Sequence, residues 1–392
     1  MQLAVIGGGP AGLRAAEMAA KRGVSVTIFD AMPSLGRKFL VAGKGGLNLT
    51  HGEGIQAFVT RYGGGDRKMW RSLLHDFDPS ALREWAAGLG VETFQASSGR
   101  VYPMEMKAAP LLRRWIARLR GYGVQIETRH RLVSLKPGWP HEISFDNGTT
   151  LHAEAIVFAM GGGSWSRTGS DGSWLKVFEA LGIDCRSLMS ANCGWEHAWS
   201  EDFLAMAEGK PLKNIAVSAD GSRVLGELMV TRYGLEGGAI YQLGSVLRTT
   251  KHPAIAIDFK PTFTRDELIA KMQSVKGDFL GQARLRWKLS DAAHAILARK
   301  VWTDAESLAD EAKHCAIPLS GPRPLDEAIS SAGGVAWDEL DEHLMLGRFP
   351  GCFLAGEMIN WEAPTGGYLM QGCFATGTRA GNAAADWLEQ NS

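Results

Sequence analysis

The 392-residue sequence has only five cysteines and no net charge. None of the cysteines forms a C-x-x-C pair, which argues against a disulfide framework, a zinc site or a dithiol reductase. Lys plus Arg equals Asp plus Glu at 42 each, so no overall field attracts nucleic acid or a membrane surface. No run of about 18 apolar residues is present, which argues against a membrane-spanning helix. We therefore expect no metal site and no membrane partner.

The sequence also has no room for an N-terminal targeting segment, because an apolar strand begins at Leu3. We therefore expect a cytoplasmic protein. The length indicates two or three domains with a substantial core. No internal repeat or low-complexity tract is present.

A glycine-rich turn lies between two apolar segments at the start of the chain. Residues 3–6 predict a strand buried on both faces, and the next six residues read G-G-G-P-A-G. An Ala-rich amphipathic helix follows, and then a second strand that ends at Asp30. In this pattern Gly7 permits the turn, Gly9 lets the backbone approach a pyrophosphate, and Gly12 lets the helix pack against the strand. Because Asp30 can accept hydrogen bonds from a ribose hydroxyl, we predict a dinucleotide site.

Two more apolar strands end in glycine further along the chain. Residues 155–159 lead into Met160-Gly161-Gly162, and residues 351–355 lead into Gly356-Glu357. Ligands of open α/β sheets lie at such strand ends. A glycine-led terminal helix follows, so we predict an α/β, doubly wound Rossmann-like domain formed by residues 1–190 and 325–392.

Residues 191–324 differ in character from the flanking segments. Short β-type runs come first, and helical patterns over residues 265–275, 282–299 and 305–314 come after them. We therefore predict an inserted second domain, with a β-barrel or sheet part followed by a helical part.

The order of these segments resembles FAD-binding two-dinucleotide-type folds. In particular the sequence is similar to the BaiN/RdsA-like NAD(P)/FAD-dependent oxidoreductases, which include aminoacetone oxidase-like proteins. The resemblance covers nearly the whole chain and is carried by residues 6–12, 36–38, 43–50, 99–103, 160–172, 226–235, 332–335 and 355–381. It implies that the Rossmann-like domain binds FAD and that the insertion is a substrate or cap domain.

The resemblance also implies roles along the cofactor. The backbone of Val133 would meet the adenine, Glu357 the ribityl or phosphate region, and residues 366–368 the isoalloxazine, with the helix start stabilising reduced flavin. The implied cofactor-binding residues are Gly7, Gly9, Gly12, Asp30, Lys38, Asn48, Thr50, Val133, Gly161, Gly162, Gly356, Glu357, Gly366, Gly367 and Tyr368.

Several positions depart from the family pattern. Lys44 stands where the family usually has glycine, Leu47 where it has cysteine, and Arg232 where it often has histidine. Lys44 is the only charge between Gly43 and Leu49, and it either meets a substrate or is a solvated loop residue. We take Lys44 and Tyr368 as the candidate catalytic residues.

We therefore expect an FAD-dependent oxidoreductase that transfers a hydride between flavin N5 and a small-molecule substrate. There is no second G-x-G-x-x-G, so NADH or NADPH would act as a transient reductant, or the substrate would reduce the flavin and oxygen reoxidise it. The alternative is a flavin-dependent reductase of an RNA base, similar to a ribosomal-RNA dihydrouridine synthase, with Trp115 or Trp287 stacking on bases. A flavin-binding protein without turnover and an NAD-dependent dehydrogenase are two further readings.

Overall fold

The computed structural model describes residues 2–43 and 45–391, so Lys44 lies outside the described residues. The chain forms two compact units. One comprises Met1–Met189 with Ser330–Ser392, and the other comprises Ser190–Ile329. The second unit is thus an insertion in the sequence of the first.

The part of the chain before the insertion alternates strands and helices. Its elements are β1 (Gln2–Ile6), α1 (Pro10–Lys21), β2 (Ser25–Asp30), α2 (Arg37–Ala42), β3 (Thr50–His51), α3 (Ile55–Val59), α4 (Arg67–Asp76), α5 (Pro79–Gly88), β4 (Thr93–Gln95), β5 (Arg100–Pro103), α6 (Ala108–Gly121), β6 (Gln125–Thr128), β7 (Leu132–Lys136), β8 (His141–Phe145), β9 (Thr150–Ala153), β10 (Ala155–Phe158), α7 (Leu175–Ala180) and β11 (Cys185–Ala191).

The insertion and the closing segment complete the chain. Their elements are β12 (Trp195–Glu196), α8 (Glu201–Ala207), β13 (Pro211–Ala219), β14 (Ser222–Thr231), β15 (Gly234–Glu236), α9 (Gly238–Thr249), β16 (Ala254–Asp258), α10 (Arg265–Ala270), α11 (Phe279–Arg286), α12 (Asp291–Leu297), α13 (Ala305–Lys313), β17 (Cys315–Pro318), β18 (Ser330–Val335), β19 (Cys352–Leu354) and α14 (Tyr368–Gln390). In the described part of the chain, no helix is long and apolar enough to cross a membrane.

The first unit is built on a five-stranded parallel sheet with the order β19-β10-β1-β2-β6. Its central strands are apolar and buried, as expected when helices cover both faces of a parallel sheet. Strand β1 lies between β2 and β10, so the chain order reverses beside β1. This topology confirms the predicted doubly wound, Rossmann-like fold class. The meander β7-β8-β9 forms a separate antiparallel sheet.

The second unit contains the predicted β-rich and helical parts. Its six-stranded antiparallel sheet has the order β12-β15-β14-β13-β16-β17. Residues just after β17 return to β12, where Glu196 N donates to Gly321 O at 2.8 Å and Arg323 N donates to Gly194 O at 2.8 Å. These bonds join the two edges of the sheet and give it a barrel-like curvature.

The helical part differs from the sequence-based expectation in two places. The helix predicted over residues 265–275 ends earlier, because α10 ends at Ala270. Residues 282–299 were expected to form one helix, but α11 ends at Arg286 and α12 begins at Asp291. Lys288 has a positive φ of 51°, which a continuing helix does not allow. The Ser290 hydroxyl then accepts a hydrogen bond from Ala293 N and starts the new helix.

A buried carboxylate joins three helices of the first unit. Glu17 of α1 is fully buried and accepts hydrogen bonds from Trp85 Nε1 of α5 at 2.8 Å and from Trp115 Nε1 of α6 at 3.0 Å. Arg14 at 3.3 Å and Arg118 at 3.1 Å supply positive charge. Burial alone would raise the pKa of Glu17, but these partners hold that pKa below its ordinary value.

Glu17→Ala should strongly destabilise the protein, because it leaves Arg14 buried without its carboxylate and two indole N–H groups without an acceptor. We expect a loss of about 3–5 kcal/mol in the free energy of unfolding, measured by denaturant titration. Glu84→Ala, at an exposed position of α5, is the matched control and should change stability little. A loss as small as the control's would show that the network contributes nothing.

His141 is a second buried polar group, and it is neutral. Its Nδ1 accepts from Gly138 N at 3.3 Å, so its Nε2 carries the proton and donates to Pro350 O at 3.0 Å. The side chain is 2% exposed, and this burial lowers the pKa of His141 from its ordinary value of 6.5.

Because the unfolded chain takes up a proton at His141 before the folded protein does, stability should fall as the pH drops below about 6.5. The slope from this residue approaches about 1.4 kcal/mol per pH unit. Compared with the wild type, His141→Leu should remove from that slope the contribution of one proton. Denaturant titrations from pH 7 to pH 5 measure both, and equal slopes in wild type and His141→Leu would refute the assignment.

Candidate functional site

A cleft of the first unit lies at the carboxyl ends of β1, β2, β10 and β19, where the strand order reverses. It encloses about 920 Å³, including open solvent at its mouth. Clefts at this position are where open α/β sheets bind ligands. Seven predicted site residues line it together: Gly7, Gly9, Asp30, Lys38, Gly161, Gly356 and Glu357.

Gly9 and Gly12 of the first turn differ in why a glycine stands at each position. A Cβ on Gly12 would lie 1.9 Å from Gly7 O, so this glycine is required for the helix to approach the strand. A Cβ on Gly9 would meet no protein atom within 4 Å, and Gly9 has an ordinary φ of −80°. The protein itself therefore tolerates a side chain at position 9, and the open space beside the start of α1 is suited to a phosphate.

Asp30 lies at the end of β2 with its carboxylate in the cleft. Its Oδ2 accepts from Gly8 N at 2.7 Å and its Oδ1 accepts from Met32 N at 2.8 Å. Burial raises the pKa of Asp30, although these two N–H groups and the nearby Arg37 and Arg131 oppose the increase. Each oxygen keeps a further lone pair for a ribose hydroxyl.

Lys38 and Glu357 form an ion pair inside the cleft. The Lys38 Nζ lies 2.7 Å from Glu357 Oε2 and donates to Ser164 Oγ at 2.8 Å. Lys38 comes from α2, which follows β2, and Glu357 from the 3-10 turn that follows the edge strand β19, so the pair connects segments on the two sides of β1. Cys373 of α14 lies beside them, and burial raises the pKa of its thiol.

Three charged cleft residues were not predicted as site residues. Arg37 and Arg131 both line the cleft, and Arg131 forms an ion pair with Asp171, which lines it as well. Arg131 lies in a loop without a glycine motif, whereas Asp171 lies next to Gly172 in the segment 160–172 that carries the family resemblance. Arg37 belongs to the G-R-K segment, so the family resemblance could have indicated it.

The other predicted cofactor residues do not line this cleft. Val133 is 48% exposed on β7, one residue beyond the lining Leu132. The space beside Gly162 is filled, because a Cβ there would lie 1.8 Å from Ser331 Oγ. Asn48 Oδ1 is buried and has no hydrogen-bond partner among the described residues, so it remains available to a ligand.

The start of α14 is fixed by protein contacts. Gly367 has a φ of 104°, and a Cβ there would lie 2.4 Å from the backbone carbon of Thr50. The Tyr368 hydroxyl donates to Glu53 Oε1 at 2.7 Å, and Glu53 also binds Arg61. Burial, followed by the Glu53 contact, raises the pKa of Tyr368. Gly366 precedes this segment, with a φ of 117°.

The suggested base-stacking tryptophans are wrong. Trp115 is fully buried and donates its indole N–H to Glu17, while Trp287 is 1% exposed and donates to Leu268 O. Neither ring has a free face for a nucleobase.

The cleft residues fit an adenine dinucleotide such as FAD. The space beside Gly9 suits a phosphate, and the Asp30 carboxylate suits a ribose. The unpartnered Asn48 Oδ1 supplies a further acceptor outside the cleft lining. Among the described residues, no group of three His, Cys, Asp or Glu side chains could hold a metal ion.

Comparisons with known proteins agree with this fold. The family model described as "HI0933-like protein Rossmann domain" matches residues 1–383. The chain is 27% identical over 415 residues to a 3-dehydro-bile acid delta(4,6)-reductase of Clostridium scindens, covering 98% of this chain and 99% of that protein. It is 23% identical over 384 residues to a ribosomal RNA dihydrouridine synthase of Haemophilus influenzae, covering 94% of each.

Two solved structures share the fold. A flavocytochrome c3 fumarate reductase in an open conformation matches with a TM-score of 0.54 and 15% identity, over 98% of this chain and 78% of that one. A 3-ketosteroid-delta4-(5alpha)-dehydrogenase from Rhodococcus jostii matches with a TM-score of 0.53 and 16% identity, over 98% and 96%.

The contrast between Gly9 and Gly12 gives a prediction. Gly9→Val should abolish FAD uptake while leaving the melting temperature of the apoprotein unchanged, because its side chain enters space that only a ligand uses. Gly12→Ala should lower that melting temperature, because its Cβ forces α1 away from the strand. Reconstitution with FAD, followed by gel filtration and absorption spectroscopy, measures uptake. A Gly9→Val protein that retains FAD would disprove the role of this turn.

Proposed function

This chain belongs to the family of HI0933-like proteins with a Rossmann domain and is an FAD-dependent oxidoreductase, and we propose that it reduces a small molecule. The bond reduced would be a carbon–carbon double bond conjugated to a carbonyl group. NADH or NADPH would supply the electrons transiently, without a binding domain of its own.

The cleft at the strand-order reversal is the observation that supports FAD as the cofactor. Different residues of the cleft would bind different parts of FAD. The turn at Gly9 and the start of α1 would receive the pyrophosphate, and Asp30 would accept the ribose hydroxyls. The Lys38–Glu357 pair would hold a hydroxyl or phosphate group, because each partner keeps hydrogen-bonding capacity.

FAD, when bound, supplies the redox chemistry by taking up two electrons and passing a hydride from N5 to a substrate carbon. The protein's own task is to bind the cofactor, orient it and exclude water from it. Tyr368 and Lys44 stay our candidates for contact with the substrate. With its pKa raised by burial, Tyr368 remains a protonated hydroxyl donor at neutral pH.

The substrate class is supported by the relatives. The name of the Clostridium scindens protein describes the reduction of ring double bonds in a 3-dehydro-bile acid, and that protein matches along its whole length. The name dihydrouridine synthase also describes saturation of a double bond, in this case in a uracil ring. Both names thus describe the saturation of a carbon–carbon double bond in a ring that carries a carbonyl group.

Ribosomal RNA is the second candidate substrate, because two relatives are named for that reaction. The side-chain contacts of the first unit support RNA binding less well than binding of a small molecule. Residues 100–131 contain eight Lys or Arg, but Arg114, Arg118 and Arg131 are paired with carboxylates. The buried Trp115 offers no base-stacking surface. We therefore favour the small molecule.

The decisive experiment starts from the purified protein. It should carry a visible flavin spectrum and release FAD rather than FMN on denaturation. Anaerobic stopped-flow mixing should then show bleaching by NADH or NADPH, and reoxidation by a 4-ene-3-keto steroid. A Gly9→Val protein is the control for signals that do not depend on the cofactor. Lys44→Met keeps the aliphatic part of the side chain and removes the charge, so it tests whether Lys44 acts in catalysis.

The outcomes separate the alternatives. A protein that takes up no FAD would contradict the cofactor assignment. Reoxidation by a ribosomal RNA fragment but not by the enone would reverse the order of the two substrates. If Lys44→Met keeps wild-type rates for both half-reactions, Lys44 has no role in catalysis.

A further inference from the structure

A cation without a partner lies near the start of α14, outside the lining of the cofactor cleft. Arg100 begins β5, is exposed, and makes no side-chain hydrogen bond or ion pair among the described residues. The neighbouring charges are balanced, because Glu53 pairs with Arg61 and also accepts from the Tyr368 hydroxyl. The first turn of a helix adds a partial positive charge. Arg100 therefore leaves a positive charge here that no described side chain neutralises.

The small sheet β3-β5-β4 places Arg100 beside aromatic side chains. Arg100 is paired with His51 across β5 and β3, and paired residues of antiparallel strands share a face of the sheet. Tyr102 lies two residues further along β5, so it belongs to the same face. The His51 ring stacks on the Tyr368 ring, with the ring centroids 5.2 Å apart. The face that carries Arg100 thus leads onto the start of α14.

His51 adds no second positive charge to this face. Its Nδ1 accepts from Glu53 N at 3.2 Å, so its Nε2 carries the proton and donates to Ser98 O at 3.1 Å. Both ring nitrogens are therefore used within the protein, and the imidazole is neutral. Arg100 is the charged member of a face whose rings are uncharged.

The backbone between Arg100 and Tyr368 leaves space for a ligand atom. Gly366 has a φ of 117°, and a Cβ there would lie 3.5 Å from the Tyr368 ring and 3.7 Å from Arg100 Nε. Both are ordinary contact distances, so this point lies between the ring and the guanidinium. A positive φ favours glycine, so no side chain of residue 366 fills the point. A ligand there can contact the ring and the guanidinium together.

We propose that Arg100 binds a carboxylate of the substrate and so selects anionic over neutral enones. The inference rests on the proposed function, because it takes Tyr368 as a substrate contact. A guanidinium binds a carboxylate through two parallel N–H···O bonds, and the rings of His51 and Tyr102 offer apolar surface to the rest of the molecule. One uncompensated guanidinium matches a monoanion better than a phosphate monoester, which carries about 1.5 to 2 negative charges at pH 7.

The test compares one steroid in two charge states. The ligands are a 4-ene-3-keto steroid with a side-chain carboxylate and the methyl ester of the same steroid. Binding to the FAD-loaded protein is measured by isothermal titration calorimetry at two salt concentrations, and turnover is measured as reoxidation of the reduced flavin. Arg100→Gln removes the charge, and Arg100→Lys keeps the charge without the planar fork. Arg71→Gln, at an exposed α4 position without an ion pair among the described residues, is the matched control.

We expect the wild type to bind the carboxylate about tenfold more tightly than the ester, and less tightly at high salt than at low salt. Arg100→Gln should lose this preference. The loss should appear in KM rather than in kcat, because the contact is made equally before and during the reaction. Arg100→Lys should keep part of the preference, and Arg71→Gln all of it. The flavin reduction potential of Arg100→Gln should equal that of the wild type, because the contact is with the substrate.

Several results would overturn the inference. Equal wild-type affinities for the acid and the ester, or no binding of either, would do so. A preference that persists in Arg100→Gln would reject the contact, and a shifted reduction potential would place the guanidinium on the flavin instead. If Arg100→Gln weakens only the binding of a ribosomal RNA fragment, the cation serves a phosphodiester and the inference fails.

Two further outcomes separate folding and chemistry from binding. If Arg100→Gln does not fold, an affinity for the carboxylate that neither Arg100→Lys nor salt changes would reject the inference. A protein that prefers the carboxylate through Arg100 but transfers no electrons to either steroid would support the anion site and refute the proposed reaction.

Discussion

One buried carboxylate sets the position of the helix on which the cleft depends. Glu17 fixes α1 against α5 and α6 through two indole N–H groups and the Arg118 guanidinium, and Arg14 of α1 itself adds a second guanidinium. Arg14 continues the network to α14 by donating to Thr378 Oγ1 at 2.9 Å. A carboxylate in this environment tolerates little displacement, because every lost donor leaves a buried charge less compensated. The start of α1, two turns earlier, is therefore held rigidly at the edge of the sheet.

The cleft differs from the hydrogen-bonded network around Glu17. Around Glu17 the protein supplies the partners, whereas the cleft has an open space at Gly9 and a buried Arg37 Nε without a partner among the described residues. A preorganised ligand site needs a rigid backbone behind it and hydrogen-bonding groups in front of it that the protein itself does not use. The same helix, α1, serves both, because its buried turn carries Glu17 and its first turn faces the cleft.

Local patterns in the sequence predicted the parts of this site that depend on local structure. Gly7, Gly12 and Asp30 follow from the strand–turn–helix–strand order, and Gly161 and Glu357 follow from strands that end in glycine. Arg131 could not be predicted from local patterns, because its contact with Asp171 joins two loops that are 40 positions apart in the sequence. Glu17 is likewise invisible in sequence, since an acid within an Ala-rich helix ordinarily indicates a solvent-exposed side.

The missed break between α11 and α12 has a related cause. The helical periodicity continues through the break, and the left-handed Lys288 is not a glycine, so no residue type announces it. The Ser290 cap was a weak signal next to that periodicity. The small sheet β3-β5-β4 was also missed, because each of its strands has only two to four residues, paired across non-local segments.

The Lys38–Glu357 pair joins residues 319 positions apart, and this separation matters while the protein is being made. At about 5–20 residues per second, a ribosome releases Lys38 roughly 15–65 seconds before Glu357. The contiguous segment Ser190–Ile329 is complete within that interval, but the parallel sheet still lacks β19 and its covering helix α14. During this interval the nascent chain contains the glycine turn between β1 and α1 but lacks Glu357, so this side of the cleft is completed only near the end of synthesis.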